Sequence, residues 1–168
     1  RRWPAATRRL GKALPSAGRV DYVEPSHDVF ASPRFVRFYE MEYAIPLASV
    51  PEALNRVRDL VAAEALPLLF PVEVRAVAAD DIALSPAYGR ETGYVAVHVY
   101  RGTPFERYFT GVEAIMGDYG GRPHWGKLHF LTAAELAPRY TLWERFATLR
   151  DRLDPARRFA NPHLDRVL

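Results

Sequence analysis

The stretch GYVAVHVY, residues 93–100, alternates branched apolar residues with polar or aromatic ones at a period of two. Successive side chains on a strand point to opposite faces, so Val95, Val97 and Val99 are predicted to face a core. Tyr94, Ala96, His98 and Tyr100 then face the other way. A second run at the same period, residues 71–77, is predicted to turn Val72, Val74 and Ala76 inward and Glu73, Arg75 and Val77 outward. The loop DDIALSPAYGRET, about a dozen residues with Pro and Gly, separates the two and lets them lie side by side.

The flanking segments extend this to an architecture. FVRFYEMEYAIP, residues 35–46, is aromatic and β-rich and is stopped by Pro46, which predicts a strand. Residues 49–66 predict a helix, with Ser49 as N-cap, Pro51 in the first turn, Glu52 near the positive end, and Leu54, Val57, Val61 and Leu66 at helical spacing. Residues 103–120 predict a second helix, capped by Thr103, with Pro104 and Glu106 in its first turn and Gly117 or Gly120 closing it. RPHWGKLH, residues 122–129, reads as an irregular strand or loop. TAAELAPRY and LWERFATLRDRLD read as two further helices, and PARRFANPHLDRVL as a tail.

Strand, helix, strand, strand, helix, strand is the order of the ferredoxin-like split βαβ plait. The fold class is therefore α+β: an antiparallel sheet with both helices on one face, plus C-terminal helices. Residues 1–34, with scattered Pro, Gly and Ser, read as a connector or arm with one short helix. Residues 35–168 read as one domain. The first residue is Arg1 and the opening segment is Arg-rich with an early Pro, which reads as a piece of a longer protein.

Composition excludes several chemistries. A hydrophobic content of 49% against 26% charged residues argues against disorder. Without cysteine there is no disulfide framework, thiol nucleophile or thiolate metal site. The five histidines (His27, His98, His124, His129 and His163) show no metal-ligand spacing, so no metal is expected. Neither a GxSxG elbow, a P-loop nor a GxGxxG fingerprint occurs. No apolar run is long enough to span a bilayer, and the expected location is cytoplasmic, with peripheral membrane association an open alternative. A net charge of +3 with interspersed acids reads as a solvated surface, and nucleic acid is not an expected partner.

The outward sheet face is the place where chemistry concentrates. It gathers a carboxylate (Glu73), a guanidinium (Arg75), an imidazole (His98) and two phenols. Each group alone also has a plain structural reading: an exposed ion pair, a satisfied half-buried histidine. The sequence writes nearly every positive charge as Arg, with only Lys12 and Lys127 as lysines, yet Lys127 lies in the HWGK turn. That turn alone could be a Gly turn with an interfacial Trp. Together, an Arg fork can hold an oxyanion or polarise a carbonyl, a paired Glu can aim it or accept a hydroxyl proton, and a desolvated Lys is an adjustable point charge.

EMEYAIP, the ExR pair Glu73 and Arg75, His98, the HWGK motif of His124, Trp125, Gly126 and Lys127, and the terminal FxNPxL of Phe159, Asn161, Pro162 and Leu164 occur in one order along the chain. In this the chain resembles the C-terminal region of the sugar-1,4-lactone oxidases and alditol oxidases of the vanillyl-alcohol-oxidase flavoprotein superfamily. The resemblance runs from about Val29 to the C-terminus. It implies the substrate-binding cap of an FAD-dependent enzyme that oxidises a gulono-, galactono- or arabinono-1,4-lactone, or else an alditol. FAD would be bound mainly by an N-terminal domain or chain absent here, on which the C-terminal tail would pack.

The resemblance further implies Lys127, Glu73 and Arg75 as catalytic residues. Substrate would be bound by Glu73, Arg75, His98, His124 and Lys127, and the cofactor met by Arg75, Lys127 and Asn161. The rival expectation from another class is a stand-alone plait that binds a ligand or dimerises without flavin.

Overall fold

The computed structural model describes residues 22–31, 35–66, 68 and 70–168. Most of the segment read as an arm lies outside these residues, apart from a short helix α1 (Ser26–Phe30) with no buried side chain. Strand β1 (Phe38–Pro46), a 3-10 turn (Leu47–Ser49) and helix α2 (Val50–Ala63) come after it. Next come strands β2 (Glu73–Val77) and β3 (Thr92–Tyr100), helix α3 (Glu106–Gly117) and the two-residue strand β4 (Arg122–Pro123). Helix α4 (Ala133–Leu136) runs into a second 3-10 turn (Ala137–Arg139), and helices α5 (Trp143–Leu153) and α6 (Pro162–Val167) complete the chain.

The four strands form one antiparallel sheet in the order β2-β3-β1-β4. This is the plait predicted from the element order. The central pair β1 and β3 is locked in register by alternation: Met41 opposes Val97 and Tyr43 opposes Val95, all on the apolar face. Helix α2 lays Val50, Ala53 and Val57 against them, and α3 adds Tyr108, Phe109, Val112, Ile115 and Met116 to the same cluster. Both helices therefore cover one face. The buried Tyr43 hydroxyl donates to Glu113 of α3, which satisfies a polar group this face brings to the layer.

Four local expectations are refined or corrected. Ser49 does stand at the N-cap of α2, as expected, but its side chain makes no cap bond, and a 3-10 turn after Pro46 leads the backbone into the helix. Thr103 does not cap α3 either: its N–H closes a turn onto the Tyr100 carbonyl at 2.9 Å, and Phe105 takes the cap position, its N–H donating to the Glu106 carboxylate at 3.0 Å. Val72, Val74 and Ala76 are not core. They are exposed, Val74 by 44%, because β2 is an edge strand paired to β3 alone and the helices sit over β1 and β3. The tail is not a plain tail: α6 begins at the N-cap Asn161 and returns Val167, 1% exposed, to the core cluster.

The chain leaves α3 through a tight stop that aims β4. Gly120 adopts φ +61°, a conformation costly for any side chain, and donates to the Gly117 carbonyl at 2.9 Å. A Cβ on Gly121 would stand 2.6 Å from the Met116 carbonyl oxygen, so only glycine lets β4 start this close to the helix end. No helix among the described residues is long and apolar enough to cross a membrane.

Candidate active site

The sheet register sets the second face. Glu40 of β1 opposes His98 of β3, Glu42 opposes Ala96, and on the outer side Glu73 opposes Ala96 and Arg75 opposes Tyr94. The same alternation that sends Met41, Tyr43 and Ile45 to the core sends Glu40 and Glu42 here. Glu42 is 1% exposed, and burying its carboxyl group is costly unless charged or hydrogen-bonding partners meet it.

It finds two. Arg75 reaches across β3 to one Glu42 oxygen, and Lys127 binds the other. Lys127 Nζ also lies 2.5 Å from Glu40 Oε1, and that same oxygen is 3.1 Å from His98 Nε2. Glu73 joins from the rim, 3.4 Å from Arg75 Nε. The result is a continuous chain of charges, Glu73–Arg75–Glu42–Lys127–Glu40–His98, laid across three strands and one turn. Burial by itself raises a carboxyl pKa, but the Lys127 ammonium and then His98 outweigh it and hold Glu40 below the ordinary carboxylate range.

The HWGK turn is built to deliver Lys127. His124 N–H donates to the Glu42 carbonyl at 2.9 Å and Leu128 N–H to the Glu40 carbonyl at 3.0 Å, so the segment continues β4 along the edge of β1. Between them Lys127 N–H closes onto the His124 carbonyl at 3.1 Å, and His124 Nδ1 accepts from Gly126 N–H at 3.1 Å. Trp125 anchors the turn from outside: its Nε1 donates to the Leu84 carbonyl at 2.9 Å and its ring packs 5.2 Å from that of Tyr140. His124 and Trp125 thus act on the turn, and Lys127 is the side chain the turn sends to the carboxylates.

A cavity of about 500 Å3 opens beside this arrangement, lined in part by Phe38, Glu40, Trp125, Lys127 and His163. Glu40 and Lys127 reach it directly, whereas Arg75 is joined to them through Glu42. Phe38 and Phe70 flank the His98 ring at 5.3 and 5.7 Å, and Phe70 packs 4.4 Å from Tyr100. Because the Glu40 carboxylate only accepts, His98 Nε2 carries a proton, and Nδ1 is buried without a hydrogen-bond partner. Arg75 also lies over the Tyr94 ring at 5.9 Å.

Of the residues predicted from the sequence, Glu73, Arg75, His98 and Lys127 come together. His124 shapes the turn. Asn161 is not joined to them: its side-chain oxygen accepts from Leu164 N–H at 3.0 Å and caps α6. Glu40 and Glu42 belong to this cluster and were missed by the sequence reading, although the period-two phase of FYEMEYAIP carried the signal.

The family model described as D-arabinono-1,4-lactone oxidase matches residues 1–167. An L-gulono-1,4-lactone dehydrogenase of Mycobacterium tuberculosis is 54% identical over 169 residues, covering 100% of this chain and 40% of that protein. The L-gulonolactone oxidase of Bos taurus is 34% identical over 157 residues, 89% of this chain and 35% of that protein. An alditol oxidase of Streptomyces sp. is 37% identical over 135 residues, 77% of this chain and 31% of that protein. The chain thus spans well under half the length of these relatives. It belongs to the D-arabinono-1,4-lactone oxidase family.

Proposed function

We propose that this chain is the substrate-binding part of an FAD-dependent enzyme that oxidises a sugar-1,4-lactone at a carbinol carbon. The observation that carries the reading is the ion chain joining Arg75, Glu42, Lys127, Glu40 and His98 beside an open cavity. A polyhydroxy ring offers many hydroxyl donors and acceptors, and such a site offers fixed carboxylate acceptors and N–H donors within a few ångströms of one another. Gulonolactone- and arabinonolactone-oxidising relatives support the substrate class.

The donor set fits a flavin. Arg75 and Lys127 keep N–H donors beyond those that Glu42 and Glu40 hold, which suit the electron-rich edge of such a ring, and Phe38, Phe70 and Tyr100 form an aromatic group on the same face. When bound, FAD held by the rest of the protein supplies the acceptor for the hydride that leaves the carbinol carbon. This chain's residues then position and discharge. Glu73 and Arg75 hold ring hydroxyls at the rim, His98 aims Glu40 at a further hydroxyl through its Nε2 contact, and Lys127 fixes the reacting oxygen with a point charge. Asn161, whose carboxamide oxygen is taken by its own helix, is left its amide N–H groups for the cofactor side.

In the protein that carries this chain, Lys127→Ala and Glu73→Ala should each slow single-turnover flavin reduction by lactone at least about tenfold, equivalent to about 1.4 kcal/mol of barrier. Unchanged rates would remove these side chains from the mechanism. The alditol oxidase relative supports a second reading, oxidation of an open-chain polyol. Turnover of xylitol in preference to gulono-, galactono- and arabinono-1,4-lactone would favour it.

A further inference from the structure

An aldonolactone and the aldonate it hydrolyses to share every hydroxyl. They differ in ring closure and in one negative charge. The site has a feature that separates them. Three carboxylates, Glu40, Glu42 and Glu73, face only two permanent cations, Arg75 and Lys127, and a proton on His98 brings the set no further than neutrality.

The placement matters more than the count. Glu42, 1% exposed, occupies Arg75 with one oxygen and Lys127 with the other. Glu40 takes a second direction of the same ammonium, with its Oε1 2.5 Å from Nζ. Lys127 therefore meets the cavity already neutralised, and Arg75, set behind Glu42, is neutralised there too. A ligand carboxylate entering beside Glu40 would add acceptors where acceptors already stand and would meet like charge in a half-buried setting, where repulsion is weakly screened. A neutral ring brings hydroxyl donors that the spare carboxylate lone pairs can accept.

We propose that Glu40 and Glu42 set the specificity of this site for an uncharged polyhydroxy ring, rejecting the sugar-acid carboxylate that hydrolysis of the same ring produces, by neutralising Lys127 and Arg75 in place. This rests on the reading of the site as one for sugar lactones. The carboxylates act by charge on the ligand, and their hold on Lys127 also positions it.

The test uses the flavin-bound full-length protein with one lactone and the sodium salt of the matching acid. The wild type should bind the acid at least tenfold more weakly than the lactone, read as the ratio of inhibition constant to KM. Glu40→Gln, which keeps shape and removes charge, should lower that ratio at least fivefold. Titration calorimetry of the acid alone should show the same gain in affinity without turnover. If Glu40→Gln does not fold, Glu73→Gln at the exposed rim should shift the ratio in the same direction.

A folded variant whose ratio is unchanged or higher would overturn the proposal, as would a wild type that binds acid and lactone equally. A wild type that oxidises no aldonolactone overturns the lactone reading instead, and the calorimetric comparison of wild type with variant still decides the charge argument.

Discussion

Glu42 is the residue on which the site turns, and its two kinds of variant separate charge from space. Glu42→Ala leaves the Arg75 and Lys127 cations facing a hollow in a nearly inaccessible position. Losing one member of a fully buried ion set costs about 3–5 kcal/mol, and here the loss lies at the low end of that range or below it, because Lys127 keeps Glu40 while Arg75, half exposed, keeps Glu73 and water. The alanine variant should therefore show a fall in urea midpoint, and Glu42→Gln, which keeps one acceptor oxygen, a smaller one. Equal losses would mean that shape rather than charge holds the position.

His129 makes a second residue-scale case, this one in pH. It is 4% exposed, neither ring nitrogen has a partner, and burial, then Arg166 and His163, push its pKa down to about 4. An unfolded histidine titrates near 6.5. Between these values the unfolded chain binds the proton and the folded chain does not. Stability is full above about pH 6.5 and falls as pH drops towards 4, by up to about 1.4 kcal/mol per pH unit. His129→Leu should flatten that slope. Urea midpoints at pH 7 and pH 5 measure it, and an equal pH loss in both proteins would remove His129 as the cause. Glu40, whose carboxyl is held low, adds its own loss at still lower pH in both proteins.

At the scale of elements, the path from α3 to the HWGK turn is the part most sensitive to one methyl group. A Cβ on Gly121 would fall 2.6 Å from the Met116 carbonyl oxygen, which is backbone and cannot swing aside. Gly121→Ala must push β4 off the helix end, and β4 leads directly to the bonds from His124 and Leu128 to β1 that set Lys127. The expected cost is about 1–3 kcal/mol of stability; on the lactone reading proposed above, turnover by the protein that carries this chain should fall by more than the loss of thermal stability alone accounts for. A variant destabilised yet fully active at low temperature would show that the turn holds its own geometry.

The same elements show what the sequence made legible. Period-two phase placed Glu73, Arg75 and His98 on one face, and the structure joins them there through Glu40 and Glu42. The phase of β1 was equally readable and would have added those two glutamates, since Met41, Tyr43 and Ile45 fix the alternate face. What periodicity could not reveal is rank within the sheet. Val74 and Val95 carry the same pattern, yet Val74 is 44% exposed and Val95 1%, because helices cover β3 and leave the edge strand bare. Nor could spacing alone show that residues 162–167 would fold back on the core, since a helix of six residues draws its stability from docking rather than from propensity.

At the scale of the whole molecule, the described residues leave a broad apolar surface. Ile82, Leu149, Leu153 and Phe159 are 66%, 43%, 71% and 82% exposed, and α5, α6 and the segment between them line a cavity of about 380 Å3 that includes the last three of these. Surfaces of this kind on a monomer mark contacts or association hazards, and the chain spans only 40% of its mycobacterial relative. Purified by itself, the chain should brighten an apolar dye such as ANS and sediment above its 19.1 kDa monomer mass. Leu153→Glu with Phe159→Glu should reverse both, because neither side chain contributes to the core and each placed charge faces water. A monomeric chain that leaves the dye dark would mean these side chains are covered within the chain itself. On the flavin reading proposed above, the same double substitution in the protein that carries this chain should decide whether the surface is a seam: a loss of flavin content, with the isolated chain made more soluble, would tie the apolar face to a part that holds the cofactor.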